Sequence, residues 1–290
     1  MIHSFQILCD LIETQSFTET AEKNFLTQSA ISHHLKSLET KLGVQLVERG
    51  YRKLRLTDYG KLVYGKARNI VDEFEELQTL LKQPQDEIRG TLRLGSIYTA
   101  GLHLLLPYTA EFAKKYPQTT LRLKYLLSPE IYEGVLQNRL DLGVVDFPRQ
   151  HAGIQIVPFH SEPLVMITPP NHPWAKLKQI SLRKLGNEPF IAASEELPIR
   201  QVFDKIFSDA GVRVHIAYTF NNVEVVKKAV ATGLGVSIVP KTAVQGEIRS
   251  GELSSVKFME TFLEWPLALI HRKHTRQKSA VRKFIELMTC

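Results

Sequence analysis

The chain has 290 residues, 43% hydrophobic and 23% charged, a composition that suits two folded domains and excludes a largely disordered chain. Two cysteines, Cys9 and Cys290, are too few for a disulfide scaffold or a zinc ribbon, and no apolar run approaches the roughly 18 residues of a membrane span. The net charge of +7 points to an anionic partner. The opening MIHSFQILCD lacks a basic start and a cleavage site, so an export signal is not expected and a cytoplasmic location is.

The charge is unevenly spread. Residues 1–90 hold 12 Lys and Arg against 13 Asp and Glu, so the basic excess lies in 91–290. Residues 10–22 carry four acids (Asp10, Glu13, Glu19, Glu22) and no base. Residues 23–57 carry seven bases (Lys23, Lys36, Lys41, Arg49, Arg52, Lys53, Arg55) against Glu39 and Glu48. One end of this region would face phosphates and the other away. The basic tail, with Arg272, Lys273, Arg276, Lys278, Arg282 and Lys283, reads as a solvated helix face.

In chain order, Ile2, Phe5, Leu8, Cys9 and Ile12 recur at helical spacing and predict a helix over 2–12, with Cys9 in its core stripe. Ser16-Phe17-Thr18-Glu19 has capping-box spacing and opens a short helix carrying Ala21 and Phe25 inward. Thr27 caps a third helix that Gly43 stops. That helix buries Ile31, Leu35, Leu38 and Leu42 and turns Ser29, Ser32, His33 and Lys36 outward. The pair matches a helix-turn-helix whose second helix would enter a major groove; the same spacing also suits an ordinary three-helix packing. From Arg49 through Gly50, Arg52, Lys53 and Arg55 to Leu56 the chain alternates basic and apolar residues, as in a basic wing against the phosphate backbone or a charged surface hairpin.

Residues 58–82 read as one long helix with a seam of Val63, Ala67, Ile70, Phe74, Leu77 and Leu81, suited to pairing with a second copy or to packing within its own chain. Gln83-Pro84-Gln85-Asp86 breaks it and marks a domain boundary. Beyond residue 90, strands at 91–97, 120–126, 142–145, 164–168, 190–193, 235–239 and 267–271 alternate with helices ending near 116 and at 129–140, 198–210, 222–232 and 279–288. This predicts an α/β region with largely parallel strands.

Ligands in such sheets sit beyond strand ends, near helix N-termini. The segment Gly95-Ser96-Ile97-Tyr98-Thr99-Ala100-Gly101 follows a strand and opens a helix, supplying hydroxyls and N–H groups that suit a small anion, or is simply a polar turn. Ser194 ends a second strand and Asn221 and Asn222 precede another helix; these would face the first loop across a cleft. There is no GxSxG, HExxH or CxxC, and His271 and His274 lack partners at metal spacing. No catalytic residue, metal site or cofactor is expected.

Taken together, Ser16-Phe17-Thr18, Ala21, Leu26-Thr27-Gln28-Ser29-Ala30-Ile31-Ser32, Leu35, Leu38-Glu39, Leu42-Gly43, Leu46, Arg49, Leu56-Thr57 and Gly60 resemble the LysR-type transcriptional regulators. Leu140-Asp141-Leu142-Gly143 and Ala231-Thr232-Gly233-Leu234-Gly235-Val236-Ser237-Ile238-Val239-Pro240 are further matches; Val47 and Tyr59 depart from the family's usual residues. The resemblance implies an all-α winged helix-turn-helix over 1–58, a linker and dimerisation helix over 59–87, and a two-lobed α/β effector domain like a periplasmic binding protein over 88–290. Lobe I would be about 91–162 plus 266–290 and lobe II about 163–265. By the same resemblance Gln28, Ser29, Ser32 and His33 would face DNA bases, Thr27 and Lys36 would belong to the same DNA-binding surface, and Arg49, Arg52, Lys53 and Arg55 would hold phosphates. Ser96, Tyr98, Thr99, Ser194 and Asn221 would line the effector cleft, while Val63, Ile70, Phe74, Leu77 and Leu81 would join two copies. The expected protein is a homodimer or homotetramer that binds promoter DNA under control of a small effector, with RNA polymerase as a further partner. An α/β enzyme with a helical appendage is the alternative.

Overall fold

A computed structural model describes residues 1–48, 54–82, 88–260, 263–273 and 277–289. Its N-terminal part holds α1 (Ile2–Thr14), α2 (Phe17–Lys23) and α3 (Gln28–Leu42). Caps set their limits. Ser16 Oγ accepts from the Glu19 N–H at 3.3 Å, Thr27 Oγ1 accepts from the Ala30 N–H at 3.2 Å, and Gly43 ends α3 at φ 69°. Phe5, Leu8, Cys9, Leu11, Leu35 and Leu38 form the shared core, where burial pushes the Cys9 thiol up to about 12 and leaves it inert. Phe25 corrects the sequence reading. Because α2 stops at Lys23, this ring stands in a left-handed turn at φ 54° and is 96% exposed.

After α3 the chain forms the two ends of a hairpin. Val47 and Leu56 make an antiparallel bridge, and Thr57 N–H donates to Leu46 O at 3.0 Å. The tip that the sequence assigns to Arg49, Gly50, Arg52 and Lys53 lies outside the described residues. The hairpin leads into α4 (Asp58–Lys82). A Cβ on Gly60 would stand 2.0 Å from Leu46 O, so only glycine lets α4 start this close to the hairpin. The helix has two apolar sides. Tyr64, Ala67 and Val71 are buried in the core that includes α1, so Ala67 leaves the expected seam. Tyr59, Leu62, Ile70 and Leu77 remain exposed, and Val63 and Phe74 are half-buried. The side chain of Leu81 and the break at 83–86 lie outside the described residues.

The remaining chain is α/β. In order come β1 (Gly90–Ser96), α5 (Tyr98–Ala100), a π-helical turn (Gly101–Leu105), α6 (Leu106–Lys115), β2 (Thr119–Tyr125), α7 (Ser128–Leu136), β3 (Leu142–Asp146) and β4 (Ile154–Thr168). There follow β5 (Gln179–Ile180), β6 (Pro189–Ala193), α8 (Pro198–Asp209), β7 (His215–Phe220), α9 (Val223–Ala231) and β8 (Ser237–Pro240). Then come α10 (Gln245–Ser250), β9 (Ser254–Phe258), β10 (Glu264–Arg272) and α11 (Ser279–Thr289). The main sheet runs β2-β1-β3-β10-β4-β9-β5, with β8 also on β4, while β6 and β7 pair separately.

The sheet is mixed, not largely parallel. β1 is parallel to β2 and β3, which helices connect, but β10 is antiparallel to β3 and β4, and β4 is antiparallel to β8 and β9. β10 therefore lies antiparallel between β3 and β4, which run in the same direction on either side of it. β4 pairs with β10 over its first two thirds and with β8 and β9 over its last five residues, so one strand passes from the first lobe into the second.

The helical head is fixed to the first lobe by buried charges. Arg68 of α4 reaches Glu13 of α1 at 2.9 Å and Asp72 at 3.2 Å. Asp72 also contacts Arg93 of β1 at 3.0 Å and Lys278 at 2.9 Å. Arg93 in turn grips Asp141, with Nη2 at 2.6 Å and Nε at 3.0 Å from its two oxygens. Lys278, placed by the sequence on a solvated face, therefore belongs to this joint. Burial would raise the Asp141 carboxyl, but the charge and hydrogen bonds of Arg93, with Lys278 beside them, draw it down to about 2. Asp141→Asn would leave Arg93, 5% exposed, short of its main counter-charge. We predict that D141N destabilises the effector domain by about 3–5 kcal/mol; thermal unfolding followed by circular dichroism measures it.

Candidate functional site

Two surfaces hold most of the side chains that the sequence singles out. The first is the outer side of α3. Thr27, Gln28, Ser29, Ser32, His33 and Lys36 are all exposed, opposite the buried Ile31, Leu35 and Leu38. Leu42, expected in that stripe, is 37% exposed at the helix end. Thr27 Oγ1 and Ser29 Oγ lie 3.0 Å apart, so the cap also orders the first exposed hydroxyl. His34 sits apart from this face, edge-on to His3 at 5.4 Å between ring centres. Arg55 is exposed beside the hairpin bridge. Sequence reasoning did not single out Glu39 as a positioning residue. Its carboxylate accepts from the N–H groups of Leu46 (2.8 Å) and Val47 (3.3 Å), which pins the hairpin to α3. The surface presents donors, acceptors and a cation at helical spacing, with Arg55 exposed on the neighbouring hairpin strand.

The second surface is a cleft of about 320 Å3 between the lobes. Tyr98 and Thr99 open one side, and Asn221 and Asn222 stand on the other, so the structure brings these predicted residues together. Ser96 and Ser194 are not on the wall. Ser96 is fully buried with its Oγ donating to Ile97 O at 2.9 Å, and Ser194 ties β6 to β7 through its N–H to Phe220 O. Tyr125 packs against Tyr98 with ring centres 5.3 Å apart, and it fits because a Cβ on Gly101 would come 2.1 Å from its ring. Among the described residues, two side-chain contacts reach across the mouth of the cleft from helices of the second lobe. His103 Nε2 lies 2.8 Å from Glu224 Oε1 of α9, and Arg149 bonds Gln201 of α8.

At the floor of the cleft lies Asp146, which sequence reasoning missed although an acid closing the apolar run Leu142–Val145 was a readable signal. It is 7% exposed. Ser128 Oγ donates to one oxygen at 3.4 Å and Trp265 Nε1 to the other at 3.3 Å. Burial pushes its carboxyl up from the ordinary 3.8 to about 6, against the pull of Trp265, of its own backbone N–H, of Ser128 and of Arg149. Among the described residues lining the cleft, only Asp146 and Glu130 carry charge.

A head of three helices and a hairpin, a long helix, and a two-lobed ligand-binding fold match known proteins along the whole chain. Residues 2–61 match the bacterial regulatory helix-turn-helix protein model of the lysR family, and residues 85–290 match the LysR substrate binding domain. The chain belongs to the LysR family of transcriptional regulators. It is 30% identical to the HTH-type transcriptional activator CmpR of Synechocystis sp., over 99% of this chain and 94% of that protein. It is 26% identical to the HTH-type transcriptional regulator CysL of Bacillus subtilis, over 90% and 87%. Among solved structures, a full-length OxyR variant of Pseudomonas aeruginosa superposes with a TM-score of 0.83 at 22% identity, covering 99% of this chain and 94% of that one. CbnR bound to its target DNA gives 0.68 at 22% identity, covering 99% and 98%. This LysR-family chain is thus a DNA-binding regulator with a small-molecule domain, and its relatives are named as regulators, not enzymes.

The raised Asp146 carboxyl favours the fold while protonated, and that contribution is lost as pH rises through about 6. We predict that the stability of wild type relative to D146N falls by about 3 kcal/mol from pH ~4 to ~7. Urea unfolding of both proteins across that range measures the difference.

Proposed function

We propose that this regulator reads promoter DNA with α3, its Gln28, Ser29, Ser32 and His33 at base edges and Lys36 toward the groove wall. Arg49, Arg52, Lys53 and Arg55 of the wing hold phosphates in this reading. The observation that carries it is the exposed polar face of α3, rigidly backed by Ile31, Leu35 and Leu38 and keyed to the hairpin by Glu39. The head is taken as 1–58, the connecting helix as 59–87 and the effector domain as 88–290. Two copies join along the outer side of α4 through Val63, Ile70, Phe74, Leu77 and Leu81, giving a homodimer that can pair into a homotetramer. The exposed Ile70 and Leu77, which their own chain leaves uncovered, support this. Two heads then match two half-sites.

The effector sits in the interlobe cleft against Tyr98, Thr99 and Asn221, and its binding changes the angle at which the lobes hold α4. The contacts His103–Glu224 and Arg149–Gln201 cross the cleft, so a ligand that alters lobe closure must change them. A coupling of about 1–3 kcal/mol is the expected scale. The protein works in the cytoplasm, with RNA polymerase as its downstream partner.

Affinity for DNA should come mainly from phosphate contacts and weaken steeply with salt. We predict that Ser32→Ala shifts base preference at one operator position by about 1–3 kcal/mol. Lys36→Ala weakens binding to all duplexes about equally and lowers the salt slope by about 1. Fluorescence anisotropy on an operator and on base-substituted duplexes, across a salt series, measures both; equal losses on every duplex for Ser32→Ala would remove it from base reading.

A further inference from the structure

The interlobe cleft has the wrong sign of charge for the small anion that its hydroxyl-bearing loop suggests. Among the described residues of its wall there is no Lys, Arg or His, and a buried carboxylate occupies the floor. Helix N-termini favour anions, but those facing this cleft are largely spent. Pro129 and Pro198 remove donors from the first turns of α7 and α8. Glu130 takes the Leu127 N–H at 2.9 Å, and Asn222 takes the Glu224 N–H at 2.8 Å. An anion bound here would meet Asp146 with no cation on the wall between them.

Asp146 itself is under-served. A carboxylate has about four lone-pair positions; Asp146 receives its own backbone N–H and two side-chain donors, Ser128 and Trp265, all neutral, the last two long at 3.4 and 3.3 Å. The other charged or titratable groups around it are Arg149, whose guanidinium is engaged with Gln201, Tyr132, whose hydroxyl is engaged with the Arg149 backbone, and Glu130, Tyr98 and Tyr125, which line the same cavity. A buried carboxylate in this state gains most from a charged donor. Much of the remaining wall is apolar and aromatic: Tyr98 and Phe220 present rings to the space, and the more deeply buried Phe203 and Trp265, 2% and 1% exposed, also line it. Aromatic faces beside a carboxylate attract an organic cation twice, through the ring quadrupole and through the charge.

We propose that the effector is a small organic amine whose protonated nitrogen is held by Asp146 and whose apolar body lies among Tyr98, Phe203, Phe220 and Trp265. This rests on the reading of the cavity as the effector site. Its volume of about 320 Å3 is at the small end of ligand pockets, so the body is one ring or a short branched chain. Recognition requires the ionised carboxylate. Affinity for an amine therefore drops as pH falls through about 6, whereas a neutral ligand of the same shape is indifferent to that change.

The test uses the full chain and three probes of similar size: phenethylamine, 2-phenylethanol and 3-phenylpropanoate, at millimolar concentrations in titration calorimetry. The amine is expected to bind at least about tenfold more tightly than the alcohol, and the carboxylate most weakly. D146N is expected to remove the amine's advantage and leave the alcohol unchanged. In wild type the amine's affinity falls about tenfold from pH ~7.5 to ~5, which tests the carboxylate without any variant. Preference for the carboxylate, an amine affinity unmoved by D146N and by pH, or no amine binding at all overturns the amine assignment. Thr99→Trp, which fills the cleft, separates this from the cavity reading. Carboxylate binding that it abolishes keeps the cavity as the effector site, while probe binding that it leaves intact overturns the cavity reading as well.

Discussion

Two guanidinium groups buried between the helical head and the effector domain fix how the halves of this protein meet. Arg68 and Arg93 are 6% and 5% exposed, and Asp72 lies between them, touching both. Neither arginine can lose its proton, so each must keep a carboxylate beside it. Glu13 serves Arg68 from α1 and contacts Arg122 of β2, while Asp141 serves Arg93 from the start of β3. The register of α4 on the first lobe is thereby specified by directional contacts. Asn138 adds a neutral one, donating to Gly65 O at 3.1 Å. Such a joint differs from an apolar interface. Desolvation offsets most of the Coulomb attraction while it is closed, and water re-solvates the charges when it opens. It is therefore specific in geometry without being prohibitively strong.

The head was legible in the sequence because its determinants are local. Ser16, Thr27 and Gly43 cap within three residues of what they bind, and the stripe of Ile31, Leu35 and Leu38 follows from helical period alone. Phe25 defeated the same reasoning, since period cannot tell a residue on a short helix from one in the turn that ends it. The long helix α4 was legible as a helix but not as a two-sided one. Its apolar positions divide between α1 and the outside, and that division depends on where α1 lies. The charged joint was invisible for a stronger reason: Arg93 pairs with residues 21 and 48 positions away, so nothing in its neighbourhood marks it. Lys278 was misplaced for the same cause.

The effector domain shows the same divide. Strands flanked by helices, such as β1 and β3, were found, and the parallel direction expected of the whole region holds among β1, β2 and β3. The amino-terminal part of β4 and the antiparallel run of β10 were not, because they are held by each other across more than a hundred residues. In the cleft, a rule that looks for hydroxyls and glycines at a strand end found Tyr98 and Thr99. It also selected Ser96, which turns its hydroxyl into the backbone. The rule passed over Asp146, because an acid at the end of an apolar strand becomes informative only when its burial and its neighbours are known.

The joint and the cleft share their strands. β3 is five residues long; Asp141 precedes it in the joint and Asp146 ends it in the cleft. At about 3.3 Å per residue the two carboxylates are roughly 17 Å apart along one extended segment. β1 repeats the arrangement, with Arg93 in the joint and Tyr98 just past its end at the cleft mouth. The two strands are locked side by side, Asp141 N–H on Arg93 O at 2.9 Å at one end and Ile97 N–H on Val144 O at 3.1 Å at the other. A strand pair inside a close-packed sheet transmits a small displacement instead of absorbing it. A ligand that repositions the carboxyl end of β3 therefore acts on the same rigid element that sets Arg93 against Asp72 of α4. No separate relay of side chains is needed between the cleft and α4.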